Sequence, residues 1–117
     1  MADVRPFRAL RPREDLASDI IAPPYDVLDE DEARAIAVNP HSFLHVTRSE
    51  VDLAPGTDAH SEVAYRKARQ NLDRFEAEGL LTLDDAETYY LYGQKMGDHV
   101  QVGLLAACSV REYDDGL

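Results

Sequence analysis

The segment best suited to hold reactive side chains in place has the sequence APPYDV, at residues 22–27. Two successive prolines fix φ and remove two backbone donors, so the backbone that carries Tyr25 and Asp26 is stiff. A carboxylate held in this way can act as a general base or a metal ligand, and a tyrosine can stack or form a hydrogen bond. We therefore predict Asp26 as a catalytic residue, with Pro24 and Tyr25 in the wall of a substrate site. The alternative is a rigid turn that introduces the next helix and packs Tyr25 beneath it.

The arginine-rich start of the chain is a second candidate binding element. Residues 1–13 contain four arginines against a single aspartate. Guanidinium groups make bidentate contacts to phosphates and carboxylates. This pattern predicts that Arg5, Arg8 and Arg11 recognise an anionic small molecule. The alternative is that these arginines pair with the protein's own acidic surface, as most surface charges do.

Structural roles explain the other residues that could do chemistry. His41 and His45 are four apart in a predicted strand, where about 13 Å would separate them, too far to share one metal ion. The acidic run at residues 29–32 suits the positive end of a helix dipole and lacks the spacing of a calcium loop. Cys108 follows apolar residues with no cationic neighbour, which predicts a buried, inert thiol. The sequence therefore predicts no metal site.

Two helices are expected to position these residues. Asp29 is a good N-cap, and Glu32 three residues later completes a capping box, which predicts a helix over residues 29–38. The longest apolar periodicity in the sequence predicts a second helix over residues 58–78. Gly79 is placed to end this helix in the left-handed conformation. A short helical turn is expected at residues 14–20.

Four segments have the composition of strands, near residues 3–10, 42–48, 87–96 and 100–110. The last two flank Gly97-Asp98, a pair that supplies the positive φ of a tight hairpin turn. The apolar run in the last strand predicts that it is covered on both faces. The expected fold is α/β or α+β, with a mixed sheet of about four strands and the two helices packed on it.

Composition excludes several classes of protein. The chain has 117 residues, 44% of them hydrophobic and 30% charged, which is typical of one globular domain. A net charge of −11 argues against a nucleic-acid partner, which requires cations against phosphates. No apolar run approaches the roughly 20 residues that span a bilayer, and no secretory signal is recognisable, so no membrane partner is expected. A single cysteine favours the cytoplasm.

Several strings of the sequence together resemble one family. They are VRPFRALR at residues 4–11, IAPPYDV at 21–27 and NPHSFLHV at 39–46. Tyr65, Gly79 and a tyrosine-rich strand extend the similarity along the whole chain. The sequence thus resembles the family known as domain of unknown function 1015.

The resemblance implies a bacterial or archaeal protein without an established general function. Family members are longer, and a His-Glu-x-Thr string that marks them would follow shortly after residue 117. The chain is therefore expected to be the N-terminal part of a larger family domain, which agrees with the turn sequence Asp115-Gly116 near its end. The family is loosely associated with serine-linked phosphoryl transfer, so Mg²⁺ and a nucleotide are candidate cofactors.

Two functional hypotheses follow. In the first, the chain is the ligand-binding part of a cytoplasmic small-molecule enzyme. For phosphoryl transfer, Asp26 would accept the proton of the substrate hydroxyl or help to hold Mg²⁺. In the second, the chain is a non-catalytic regulatory or interaction domain whose acidic surface meets a basic partner.

Overall fold

The computed structural model describes residues 3–114 and shows a mixed α/β structure, which confirms the predicted fold class. The chain divides into two units. Arg11–Thr82 form a helical unit, and the flanking segments, up to Leu10 and from Leu83 onward, form a strand-rich unit.

The helical unit contains four α-helices and two 3-10 turns. The first 3-10 turn, Glu14–Leu16, leads into α1, and the second, Ser49–Asp52, follows α3. The helices are α1 (Ala17–Ile20), α2 (Glu30–Ile36), α3 (Leu44–Thr47) and α4 (Glu62–Ala77). Their core is formed by the buried side chains of Ile20, Ala33, Leu44, Ala64, Phe75, Leu80 and Leu81.

Helix α4 confirms the predicted long helix, although it begins later than residue 58. The hydroxyl of Ser61 accepts a hydrogen bond from the backbone N–H of Ala64, so the helix is capped at this position. The predicted apolar stripe faces the core, with Ala64 and Phe75 fully buried. Gly79 follows the helix with φ of 74°, as expected for a residue in the left-handed conformation.

Helix α2 confirms the predicted capping box. The Asp29 carboxylate accepts from the backbone N–H of Glu32, and the Glu32 carboxylate accepts from the backbone N–H of Asp29. The hydrogen bond from the Glu32 backbone lowers the pKa of Asp29. Helix α2 ends before Asn39, the residue that precedes Pro40. A proline disfavours the α conformation of the residue before it, so the helix could not continue through Asn39.

The predicted strand over residues 42–48 is wrong, because this segment contains the single helical turn α3. An alternation of apolar and polar residues over so few positions fits a helical turn as well as a strand. The adjacent residues Leu44 and His45 are both buried. A strand with one covered face would expose one of them, because successive side chains point to opposite faces.

The strand-rich unit is built around a hairpin. Strand β4 (Tyr90–Met96) pairs antiparallel with β5 (His99–Leu105), and Gly97 in the turn has φ of 59°, which confirms the predicted hairpin. At the start of this unit, β1 (Val4–Arg5) pairs antiparallel with β6 (Ala107–Cys108). Helix α5 (Val110–Asp114) follows, where no helix was predicted. The predicted turn at Asp115-Gly116 lies outside the described residues.

The predicted mixed sheet of about four strands is wrong, because the described strands form three separate two-stranded sheets. The third pair joins β2 (Leu10–Pro12) to β3 (Leu81–Leu83). Proline has no N–H to donate to a ladder, and of the segment predicted as one strand over 3–10 the strand β1 ends just before Pro6. Phe7 then forms an isolated bridge with Thr88, and β2 begins only at Leu10. The helical turn at α3 also removes one of the four strands expected in the sheet.

The expectation that the second hairpin strand is covered on both faces is wrong as well. All seven residues of β5 are exposed, and so is Cys108, which was predicted to be buried. The register places four exposed aliphatic side chains on one face of the hairpin. They belong to Leu91, Val100, Val102 and Leu104.

Candidate functional site

The helical unit contains an open pocket of about 420 Å³. Its polar lining comes from separate parts of this unit. The lining includes Tyr25, Thr47, Arg48, Glu50, His60 and Tyr65. Small-molecule sites have volumes of about 300–1,000 Å³, so the pocket is large enough for a small metabolite.

The secondary structure explains how these side chains meet. Tyr25 lies in the turn after the two prolines and before α2. Thr47 is the last residue of α3, and Glu50 lies in the 3-10 turn that follows. His60 lies in the turn before α4 and Tyr65 in the first turn of that helix, and the Nδ1 atom of His60 is 3.2 Å from the hydroxyl of Tyr65.

Arg48 and Glu50 form a buried ion pair in the pocket wall. The Nε atom of Arg48 donates to Oε1 of Glu50 over 2.9 Å, and the two side chains are 15% and 10% exposed. The Nη1 atom of Arg48 donates to the carbonyl of Leu28 over 2.6 Å. Both charged groups are therefore fixed in direction before any ligand arrives.

Each member of this pair has a polar atom that takes no part in the pair. Within residues 3–114, the Nη2 atom of Arg48 and the Oε2 atom of Glu50 have no hydrogen-bond partner. Buried polar side-chain atoms of the described residues all have partners, so these two atoms are in contact with solvent. A positively charged hydrogen-bond donor and a negatively charged acceptor therefore lie side by side in the pocket lining.

Arg34 of α2 holds the backbone next to this ion pair. Its guanidinium donates to the carbonyl oxygens of Val51, Glu50 and Leu53 over 3.0, 3.2 and 3.3 Å. It also pairs with Glu30, one helical turn earlier. These contacts fix the 3-10 turn, and with it the direction of the Glu50 side chain.

Two tyrosines form the more accessible part of the lining. Tyr25 is 62% exposed and Tyr65 is 59% exposed. Their rings contribute apolar surface to the lining, to which Arg48 and Glu50 contribute charged groups. This arrangement combines apolar contact with a few fixed polar groups, as is typical of ligand sites.

Among the residues predicted around the APPYDV segment, Tyr25 lines the pocket. Pro24 and Asp26 are exposed neighbours of Tyr25 and are not part of the lining. The catalytic role of Asp26 stays a prediction, as does the part of Pro24 in the site.

The predicted arginine strip is spread over both units. Arg5 pairs with Asp3, and this hydrogen bond raises the pKa of the Arg5 guanidinium. Arg8 donates to the carbonyl of Asp84 over 2.6 Å, whereas Arg11 lies in β2. Anion binding by Arg5, Arg8 and Arg11 stays a prediction.

The residues that sequence reasoning missed are those that fold into helical turns. Thr47, Arg48 and Glu50 were assigned to a strand and the loop after it, where their side chains would diverge. His60 fell within the helix predicted over residues 58–78, and Tyr65 was noted only as part of the family resemblance. A charged pair directly after a short apolar run was the available indication, and it is a weak one.

The fold and this pocket define a mixed α/β protein with a polar site of small-molecule size. No helix among the described residues has the length and apolar character needed to cross a bilayer. Residues 3–114 also bring together no group of three metal-ligating side chains. The sequence matches the family described as "Protein of unknown function (DUF1015)" over residues 4–117, and the chain belongs to this family. Neither a curated protein nor a solved structure matches it.

Proposed function

We propose that this chain is the ligand-binding part of an enzyme that acts on a small polar metabolite, with the pocket of the helical unit as the substrate site. The observation that carries the proposal is the buried Arg48–Glu50 pair, which leaves one donor and one acceptor to a ligand. An ion pair used only for stability would gain little from burial, because desolvation offsets most of the attraction.

The charges of the pocket favour a ligand that carries both an anionic and a cationic or hydroxyl group. Glu50 already neutralises Arg48, so the pair attracts a multiply charged anion only weakly. A carboxylate or phosphate can accept from Nη2 of Arg48, while an ammonium or hydroxyl group donates to Oε2 of Glu50. An amino acid such as serine has both kinds of group.

For the reaction, we propose phosphoryl transfer to such a hydroxylated metabolite, in the cytoplasm of a bacterium or archaeon. The support is the family resemblance together with Asp26, which is adjacent to a pocket residue and could accept the proton of a substrate hydroxyl. A nucleotide bound together with Mg²⁺ would supply the phosphoryl group. We also propose that Arg5, Arg8 and Arg11 recognise an anion, which is a proposal separate from the pocket of the helical unit.

The first experiment is a thermal melt of the chain with serine, inorganic phosphate and Mg²⁺–ATP added in turn. A ligand that binds the folded state raises the melting temperature. We expect serine to raise it in the wild type and Glu50→Gln to abolish the increase, because the variant loses the anionic acceptor. Circular dichroism of the variant checks that the fold is retained.

The matched control is Glu62→Gln, which removes an exposed carboxylate paired with Arg66 on α4. This variant should respond to serine as the wild type does. If no probe raises the melting temperature of the wild type, the proposed site is wrong and the interaction-domain hypothesis gains support. An equal response of both variants would mean that the ligand binds elsewhere.

A further inference from the structure

A buried histidine lies in α3, two residues before the pocket residue Thr47. His45 of α3 is 6% exposed, and its Nδ1 atom lies 2.8 and 2.9 Å from the two carboxylate oxygens of Asp52. Its Nε2 atom lies 3.1 Å from the backbone carbonyl oxygen of Asn39. Both ring nitrogens therefore face oxygen atoms.

The identity of these oxygens determines the protonation of the ring. A backbone carbonyl oxygen can accept a hydrogen bond but cannot donate one, and the same is true of an ionised carboxylate. Asn71 of α4 donates its Nδ2 to Oδ2 of Asp52 over 2.9 Å, so this oxygen acts as an acceptor. A neutral imidazole has one N–H, so it would leave one of the two contacts without a proton.

We infer that His45 is held as an imidazolium between Asp52 and Asn39, and that this contact positions the ligand-binding residues Arg48 and Glu50. The inference rests on the proposed function of the pocket. The His45–Asp52 contact closes a segment of eight residues that contains Thr47, Arg48 and Glu50.

Asn71 ties the same segment to α4. Its Nδ2 atom also donates to the backbone carbonyl of His45 over 2.6 Å. One amide group therefore contacts both ends of the closed segment. The pocket wall is anchored to α4 through His45, Asp52 and Asn71.

The other charged groups near His45 have partners of their own. In the 3-10 turn, Glu50 pairs with Arg48. From α4, Arg74 donates to the carbonyl of Pro40, next to Asn39. In the turn before α3, His41 contacts Asp19 of α1. Asp52 is thus the carboxylate that contacts the His45 ring within the described residues.

The sign of the pH effect follows from the proton count. When the ring loses its proton, either Asp52 or Asn39 keeps an acceptor without a donor, and the closed segment is less firmly held. Ligand affinity should therefore be highest while His45 is protonated and should fall as the pH rises through its titration. We expect the loss to be about tenfold, which corresponds to about 1.4 kcal/mol of binding free energy.

The experiment is nitrogen-detected NMR of the histidine rings in the ligand-free chain between pH 5 and 9. His45 should show two protonated nitrogens at low pH, and its titration should shift the side-chain Nε–H signal of Arg48 in parallel. His41→Gln is the matched control, because it removes a surface His–Asp contact and should leave the Arg48 shift unchanged. Serine affinity is then measured against pH in the wild type and in His45→Gln, whose side chain does not titrate.

The outcomes separate this inference from the proposed function. A neutral His45 ring at pH 5, or an Arg48 signal that ignores the titration, overturns the inference whether or not serine binds. Parallel titration without serine binding supports the positioning role and contradicts the proposed function. If serine affinity depends on pH in His45→Gln as it does in the wild type, His45 does not cause the pH dependence and the inference is wrong.

Discussion

Arg48 and Glu50 show what single residues contribute to the pocket. Their opposite charges lie 2.9 Å apart, and both side chains are largely withdrawn from water. Removing one partner from a buried pair leaves a charge that the surroundings cannot solvate, whereas removing both leaves no such charge. Single and double substitutions should therefore differ strongly in their cost.

Arg48→Met should lower the free energy of unfolding by about 3 kcal/mol, because Glu50 remains as an uncompensated buried charge. The double variant Arg48→Met/Glu50→Leu should recover most of that loss. Urea unfolding of the wild type, both single variants and the double variant measures the coupling. Additive losses would show that the two charges do not interact in solution.

At the scale of single residues, the sequence indicates local stiffness of the backbone better than it indicates tertiary neighbours. The stiff APPYDV segment does bring Tyr25 to the pocket wall, because two prolines fix the backbone locally. Arg48, Glu50 and His60 could not be grouped in advance, since only packing between α3, the 3-10 turn and α4 brings them together. Their contacts are tertiary, and no spacing in the chain encodes them.

At the scale of elements, local sequence signals determine where the helices begin and end. Asp29 and Gly79 occupy the predicted capping positions, because caps depend on a few neighbouring residues. The cap of α4 is Ser61, which was not predicted. The segment at residues 42–48 was assigned wrongly, since a run of seven residues does not distinguish a strand from a helical turn. Burial of Leu44 and His45 against neighbouring helices decides its structure.

The capping box of α2 predicts the direction in which the stability of the folded state changes with pH. The pKa of Asp29 is lowered from 3.8 by the hydrogen bond from the Glu32 backbone, so the ionised cap stabilises the folded state above that pH. This stabilisation should disappear as the pH falls below 3.8 and through the folded-state pKa. Asp29→Ser keeps a capping oxygen that does not titrate, so its stability should lack this component.

The measurement is the difference in unfolding free energy between the wild type and Asp29→Ser from pH 6 to pH 2.5. We expect the wild type to lose stability relative to the variant across the acidic part of this range. If this difference does not change with pH, ionisation of the Asp29 carboxylate does not stabilise the folded chain.

At the scale of the whole molecule, the two units differ in how they bury apolar groups. The helical unit has a core with Ile20, Leu44 and Phe75 fully enclosed. The hairpin β4–β5 has one half-buried residue, Tyr90, whose ring lies 5.0 Å from that of Phe7. The sequence correctly predicted the hairpin and its turn, but its apolar composition suggested a buried strand where the structure shows an exposed one. Composition shows that a strand carries apolar side chains, but it does not show whether another part of the protein covers them.

This difference predicts unequal protection of the two units in hydrogen exchange. Isolated two-stranded hairpins are marginally stable in water, and regions with few buried contacts open at low free-energy cost. Backbone amides of α4 near Asn71 and Phe75 should therefore exchange slowly, while those of Leu91 to Met96 exchange orders of magnitude faster. The comparison is made on the same sample at several protein concentrations. If the hairpin amides are as slow as those of α4 and become faster on dilution, the aliphatic face is covered by self-association. If they are slow at every concentration, the hairpin is stabilised within one chain, and its exposed face is not a measure of its stability.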